Sequence, residues 1–147
     1  MSYETLIDEH EAIDRLSSKL LNSLEAGASA STAAHDLLCR LQAVVDQHIE
    51  HEDSLLYARV ASFQSPTLSE NVRLLETSFD TLRSDWRDYV ETWSEDRINS
   101  DWHTFAEETK SIVPQVKRRV LEETELVYLP ALKSGLISLR AAYADRA

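Results

Sequence analysis

The sequence predicts an all-α fold, an up-down antiparallel four-helix bundle, on three observations. Two Gly and three Pro are all that occur in 147 residues, too little turn chemistry for an all-β chain that must turn every eight to twelve residues or so. Four segments carry apolar residues at steps of three and four, the helical period. The stretches between them are short and rich in Ser, Asn, Asp, Gly or Pro, so consecutive helices must return antiparallel to one another. A chain of this length can bury one core and is short for two. Residues 1–147 therefore read as a single domain, with its core over about 3–133.

Helix A is expected over 3–25, with Leu6, His10, Ile13, Leu16, Leu20 and Leu24 on one stripe and Gly27 as its C-terminal cap. Helix B starts at Ser31 or Thr32, carries Leu37, Leu41, Val45, His48, Glu52, Leu55 and Arg59 on its stripe, and stops before Ser65-Pro66. Helix C, over 69–94, places Val72, Leu75, Phe79, Leu82, Trp86, Tyr89 and Trp93 on an apolar face. Helix D follows a cap at Asn99-Ser100-Asp101 and aligns Ile112, Val116, Arg119, Glu123, Leu126 and Pro130. Pro114 is expected to kink that helix or divide it in two. After Gly135 the chain has room for a short extra helix over 136–143.

Lys and Arg number 15 against 26 Asp and Glu, a formal net charge of −11. So acidic a chain argues against binding nucleic acid or anionic lipid, and the one basic cluster, Lys117-Arg118-Arg119, is too small to reverse that. The single cysteine, Cys39, excludes an internal disulfide and reads as a buried, inert thiol among Leu37, Leu38 and Leu41. With no apolar run of membrane-spanning length and no signal-peptide pattern at Met1-Ser2-Tyr3-Glu4, the expected compartment is the cytoplasm.

Polar residues interrupt the apolar stripes at particular places. His10 lies between Leu6 and Ile13; His48 and Glu52 are four apart on the face of Val45; Arg119 and Glu123 are four apart on the face of Val116. Residues at i and i+4 stand one above the other, so His-x-x-x-Glu presents an imidazole nitrogen and a carboxylate to one point. Buried without partners, such groups would cost several kcal/mol each. They need one another, water or a metal, and a mixed nitrogen and oxygen set suits iron, manganese or zinc better than magnesium or calcium.

His48-Ile49-Glu50-His51-Glu52-Asp53-Ser54-Leu55-Leu56-Tyr57, Glu9-His10-Glu11-Ala12-Ile13 and Glu122-Glu123-Thr124-Glu125-Leu126-Val127-Tyr128-Leu129-Pro130 together give the chain a resemblance to the hemerythrin-like, HHE cation-binding domains. The resemblance implies a hemerythrin-like bundle with His on helices A and C and His-x-x-x-Glu on helices B and D, holding a carboxylate-bridged di-iron centre. Laying Ser78-Phe79-Asp80-Thr81-Leu82 on the helix A string puts Phe79 where the helix C histidine belongs, and laying helix D on helix B puts Arg119 opposite His48. Neither residue can ligate a cation, so the resemblance implies that the histidines of a second iron are missing.

Two readings follow. In the first, His10, His48, Glu52 and Glu123 hold one metal ion, iron foremost with manganese or zinc as alternatives, and the family resemblance implies sensing of O2, NO or iron, metal storage, or protection of iron centres. In the second, the bundle holds no metal, Arg119 pairs with Glu52 or Glu123 in place of the ion, and the protein acts as a structural, regulatory or partner-binding module. A homodimer through helices C and D or an unidentified protein partner fits either reading. An exposed apolar patch near Trp93 and Trp102 would favour the second. No triad, phosphate loop or general acid and base pair supports an enzyme. His35, His51 and His103 read as surface or packing residues. Tyr57 and Tyr128 read as packing residues with the hydroxyl in water, although a tyrosine close to a metal could tune or donate to it.

Overall fold

The computed structural model describes residues 3–57, 60 and 65–136. The helices are α1 (Tyr3–Ser23), α2 (Ser31–His51), α3 (Pro66–Thr92), α4 (Glu95–Ser100), α5 (Trp102–Glu123) and α6 (Leu129–Lys133), and no strand occurs among the described residues. A π-turn at Glu52–Leu56 follows α2, and a second at Thr124–Tyr128 joins α5 to α6. The side chain of Leu55, the end of helix B with Arg59, and the extra helix expected at 136–143 apart from Leu136 lie outside the described residues.

Side-chain contacts fix the antiparallel register. Along α1 and α5, His10 meets Thr124 while Lys117 meets Asp14 and Ser18. Along α3 and the chain running from α5 into the second π-turn, Asn71 meets Leu126, Leu75 meets Arg119, and Tyr89 meets Thr109. Sequence numbers rise on one partner as they fall on the other, which only antiparallel neighbours can do.

Local chemistry explains the ends. Ser65 accepts from the Leu68 N–H with Pro66 just behind it, so α3 starts three residues before the expected 69: a proline that cannot continue helix B is well placed at the first position of helix C. Asp101 caps α5 as expected, and Ser94 caps the short α4, which the sequence reading had not separated from the loop. Gly27 closes the turn after α1 at φ 78°, a backbone conformation that side chains disfavour.

Pro114 does not divide helix D: α5 runs unbroken from Trp102 to Glu123 with Pro114 inside it. Pro114 and Lys110, whose carbonyl loses its N–H partner, both face solvent, where water can supply the missing hydrogen bond. Cys39 is exposed rather than buried. The inward residues of this stretch are Leu38 and Leu41, and Cys39 is turned roughly 100° from Leu38, beyond the buried stripe. Trp93 is buried at 2% exposure and Trp102 packs partly buried against the core, so the aromatic patch that would favour a partner does not form there.

The core comes in two parts. One gathers Ile13, Leu20, Leu38, Leu41, Trp86, Trp93, Phe105 and Val113 with their neighbours. The other gathers Leu6, Leu56, Val72, Val127, Tyr128 and Ala131. Between them lies a buried polar layer built from α1, α2 and α5 with the start of the first π-turn: His10, His48, Glu52, Arg119 and Glu123.

Candidate metal centre

His10 comes from the middle of α1, His48 from the last turn of α2, Glu52 from the first residue of its π-turn and Glu123 from the last residue of α5. The four donor atoms lie within 4.8 Å of one another and could hold a metal ion. His10 Nε2 is 3.0 Å from His48 Nε2 and 3.2 Å from Glu123 Oε1. His48 Nε2 is 3.1 Å from Glu52 Oε1 and 3.5 Å from Glu123 Oε1. Two donors bound to one ion at about 2.1 Å and at right angles stand about 3 Å apart, so these spacings match donors that share an ion.

Neighbouring groups orient both imidazoles. The Thr124 hydroxyl donates to the Val120 carbonyl, so its oxygen accepts from Nδ1–H of His10 at 3.0 Å. Glu9 accepts from Nδ1–H of His48 at 2.9 Å and from His51 at 2.6 Å. With each Nδ1 thus the donor, each Nε2 is turned inward toward the cluster, the arrangement that outer partners of metal-binding histidines impose.

Burial resists charge on His48, but its hydrogen bonds with Glu123, Glu52 and Glu9 outweigh that and push it up to about 12. Burial, though partly opposed by Glu123, holds His10 below the ordinary imidazole range. Burial and then the neighbouring Glu123 push Glu52 up to about 8. Glu123 is driven well down: burial opposes its charge, but hydrogen bonds with Glu52, His10 and His48 prevail. Without a metal, one imidazolium proton on His48 Nε2 thus faces the Tyr128 oxygen as well as His10 Nε2, Glu52 Oε1 and Glu123 Oε1, and can serve one of them well. A metal ion can bind all of them at once.

The π-turns add two phenols. In each, a backbone N–H reaches five residues back, Tyr57 to Glu52 and Leu129 to Thr124. Five residues on in an α-helix would point about 140° away; the wider turn instead keeps Tyr57 and Tyr128 on the cluster face, where each reaches the glutamate of the opposite helix. Tyr128 donates to Glu52 Oε2 at 2.7 Å and Tyr57 to Glu123 Oε2 at 3.0 Å. The hydroxyls are therefore in the core and not in water. The same shift turns Leu126 outward, to 40% exposure, and brings Val127 and Tyr128 inward in its place.

Phe79 and Arg119, the two residues at odds with a second metal, come together. The guanidinium lies over the Phe79 ring at 4.4 Å, donates to the Leu75 carbonyl and to the Tyr57 hydroxyl, and pairs with Glu123 at 3.5 Å. A fixed cation thus stands beside one carboxylate of the cluster. A cavity of about 30 Å³ lies among Ile13, Val45, His48, Phe79, Val116 and Glu123, space for a water-sized molecule. From outside, a groove of about 560 Å³ between α1 and α5 reaches His10 and Thr124.

All four residues expected from the sequence converge. Glu9, Thr124, Tyr57 and Tyr128 complete the surroundings; the sequence reading gives no role to Glu9 or Thr124 and names the two tyrosines only as packing residues that could tune a nearby metal. Glu9 stands next to His10 in sequence, yet only packing against α2 aims it at His48. His51 reaches Glu9 and not the cluster, and His103 is exposed.

An antiparallel helical bundle with a buried layer of two imidazoles and two carboxylates is a bundle protein whose core could hold a cation. The hemerythrin HHE cation binding domain matches residues 1–132, and the chain belongs to that family. No curated protein and no solved structure matches it.

Proposed function

We propose that the protein holds a single non-haem metal ion, iron first and manganese or zinc as alternatives, on His10, His48, Glu52 and Glu123, for sensing, storage or protection. The observation that carries this reading is the approach of two inward-facing Nε2 atoms to 3.0 Å beside two carboxylates. A single proton can bridge only one pair of these donors, whereas a cation among them is met by all four, and a mixed nitrogen and oxygen set suits these ions. The groove at His10 offers a way in from solvent, and the small cavity beside the cluster has room for a diatomic such as O2 or NO. An acidic chain with one cysteine suits the cytoplasm.

Arg119 favours a second reading, a metal-free bundle in which its guanidinium compensates Glu123 and function passes to a protein partner. Metal content by plasma mass spectrometry separates the two, on protein expressed in iron-rich medium and purified without chelator or His tag. About one equivalent of metal, lost in His48→Ala, is expected for the first. Equally empty wild-type and variant protein would sink it and leave the second.

A further inference from the structure

We propose that Tyr128 is a fifth protein ligand of this centre, supplying a phenolate oxygen when the bound ion is trivalent. The inference rests on the reading of the cluster as a metal site. Its own support is the position of one hydroxyl. The Tyr128 oxygen lies 3.2 Å from His48 Nε2, the spacing found among the four donors themselves, and donates to Glu52 Oε2 at 2.7 Å. Its ring stacks on His10 at 4.5 Å and is fully buried, so the oxygen is held in the donor cluster and not in bulk water. Tyr57 is the internal contrast. Its hydroxyl touches the carboxylates and the Arg119 guanidinium, a cation, and has no contact with either imidazole among those of the described residues.

Charge gives the phenolate its reason. Glu52 and Glu123 match a divalent ion, and Arg119 already adds a positive charge beside them. A trivalent ion leaves one further positive charge in the core, and a buried charge without a counter-charge costs several kcal/mol. The Tyr128 oxygen is the group in place to offset it. The phenol O–H bond breaks as the oxygen–metal bond forms, and the proton leaves to solvent.

The test loads the full chain with ferrous iron anaerobically and then adds ferricyanide, which takes one electron from the iron and becomes ferrocyanide. The oxidised wild type is expected to show a visible phenolate-to-ferric charge-transfer band with tyrosinate modes in resonance Raman. Tyr57→Phe keeps both, and Tyr128→Phe loses both per iron retained. Ferric protein without the band, or a band that survives in Tyr128→Phe, overturns the assignment but leaves the metal site standing. Wild type that takes up no iron overturns both. Should Tyr128→Phe fail to retain iron, the other two proteins decide: a band in wild type and in Tyr57→Phe supports Tyr128, and its loss in Tyr57→Phe overturns it.

Discussion

Arg119 sits four residues before Glu123, with 8% of its surface exposed and Phe79 beneath its guanidinium. Removing one member of a buried ion pair strands the other, at a cost of about 3–5 kcal/mol. Arg119→Met should therefore lower the stability of metal-free protein by about that much, read as a fall in the urea midpoint at unchanged slope. His48 sets the pH response. Its folded value of about 12 lies above the unfolded one, so in metal-free protein it adds stability at low pH that fades as pH rises toward that value. Metal binding must displace the same proton, so the sign for affinity is the reverse. Apparent metal affinity should fall about tenfold per pH unit on acidification for each proton released. A chelator competition run from roughly pH 8 down to 6 checks it, and an affinity that does not change over that range would mean His48 carries no proton to displace.

At the level of elements, the paired π-turns make the site. Inserting one alanine after Leu126, which is exposed and contributes little itself, should carry Tyr128 about 100° further round the helix and away from Glu52. The expected loss is on the order of 3 kcal/mol, typical of an aromatic taken out of a core, with weaker metal retention. Wild-type melting behaviour in the insertion variant would show that the turn absorbs the extra residue. Pro114→Ala should act oppositely, because alanine restores a hydrogen bond in an exposed stretch of α5; a gain of about 1 kcal/mol or more by thermal melting is expected, the helix preference being partly offset by a looser unfolded chain. These elements also mark where sequence reading stops. His10, His48, Glu52 and Glu123 were legible because a polar residue on an apolar stripe must find a partner. Tyr57, Tyr128 and Leu126 were misread because a 3.6-residue period was carried through turns that are wider. Cys39 was misread because neighbours in sequence lie on different faces of a helix. Nothing in the spacing of Glu9 distinguishes it from the exposed Glu11 two positions on.

For the molecule as a whole, the polar layer joins two apolar clusters that share few side chains with one another. Three helices meet in that layer, α1 through His10, α2 through His48 and α5 through Glu123, so an ion bound there would tie together chain segments more than a hundred residues apart. The unfolded chain cannot assemble the four donors, and binding free energy therefore becomes folding free energy. At a free metal concentration a hundred times the dissociation constant the gain is about 2.7 kcal/mol. For a chain of this size, each kcal/mol moves the melting temperature by about 3 °C. Chelator treatment should thus lower the wild-type Tm by about 8 °C, and restoring metal should recover it. His48→Ala should melt at one temperature with or without chelator. If the wild type also ignores both chelator and added metal, Arg119 and the protonated His48 stand in for the ion, and the two halves of the core are held together by protein charges alone.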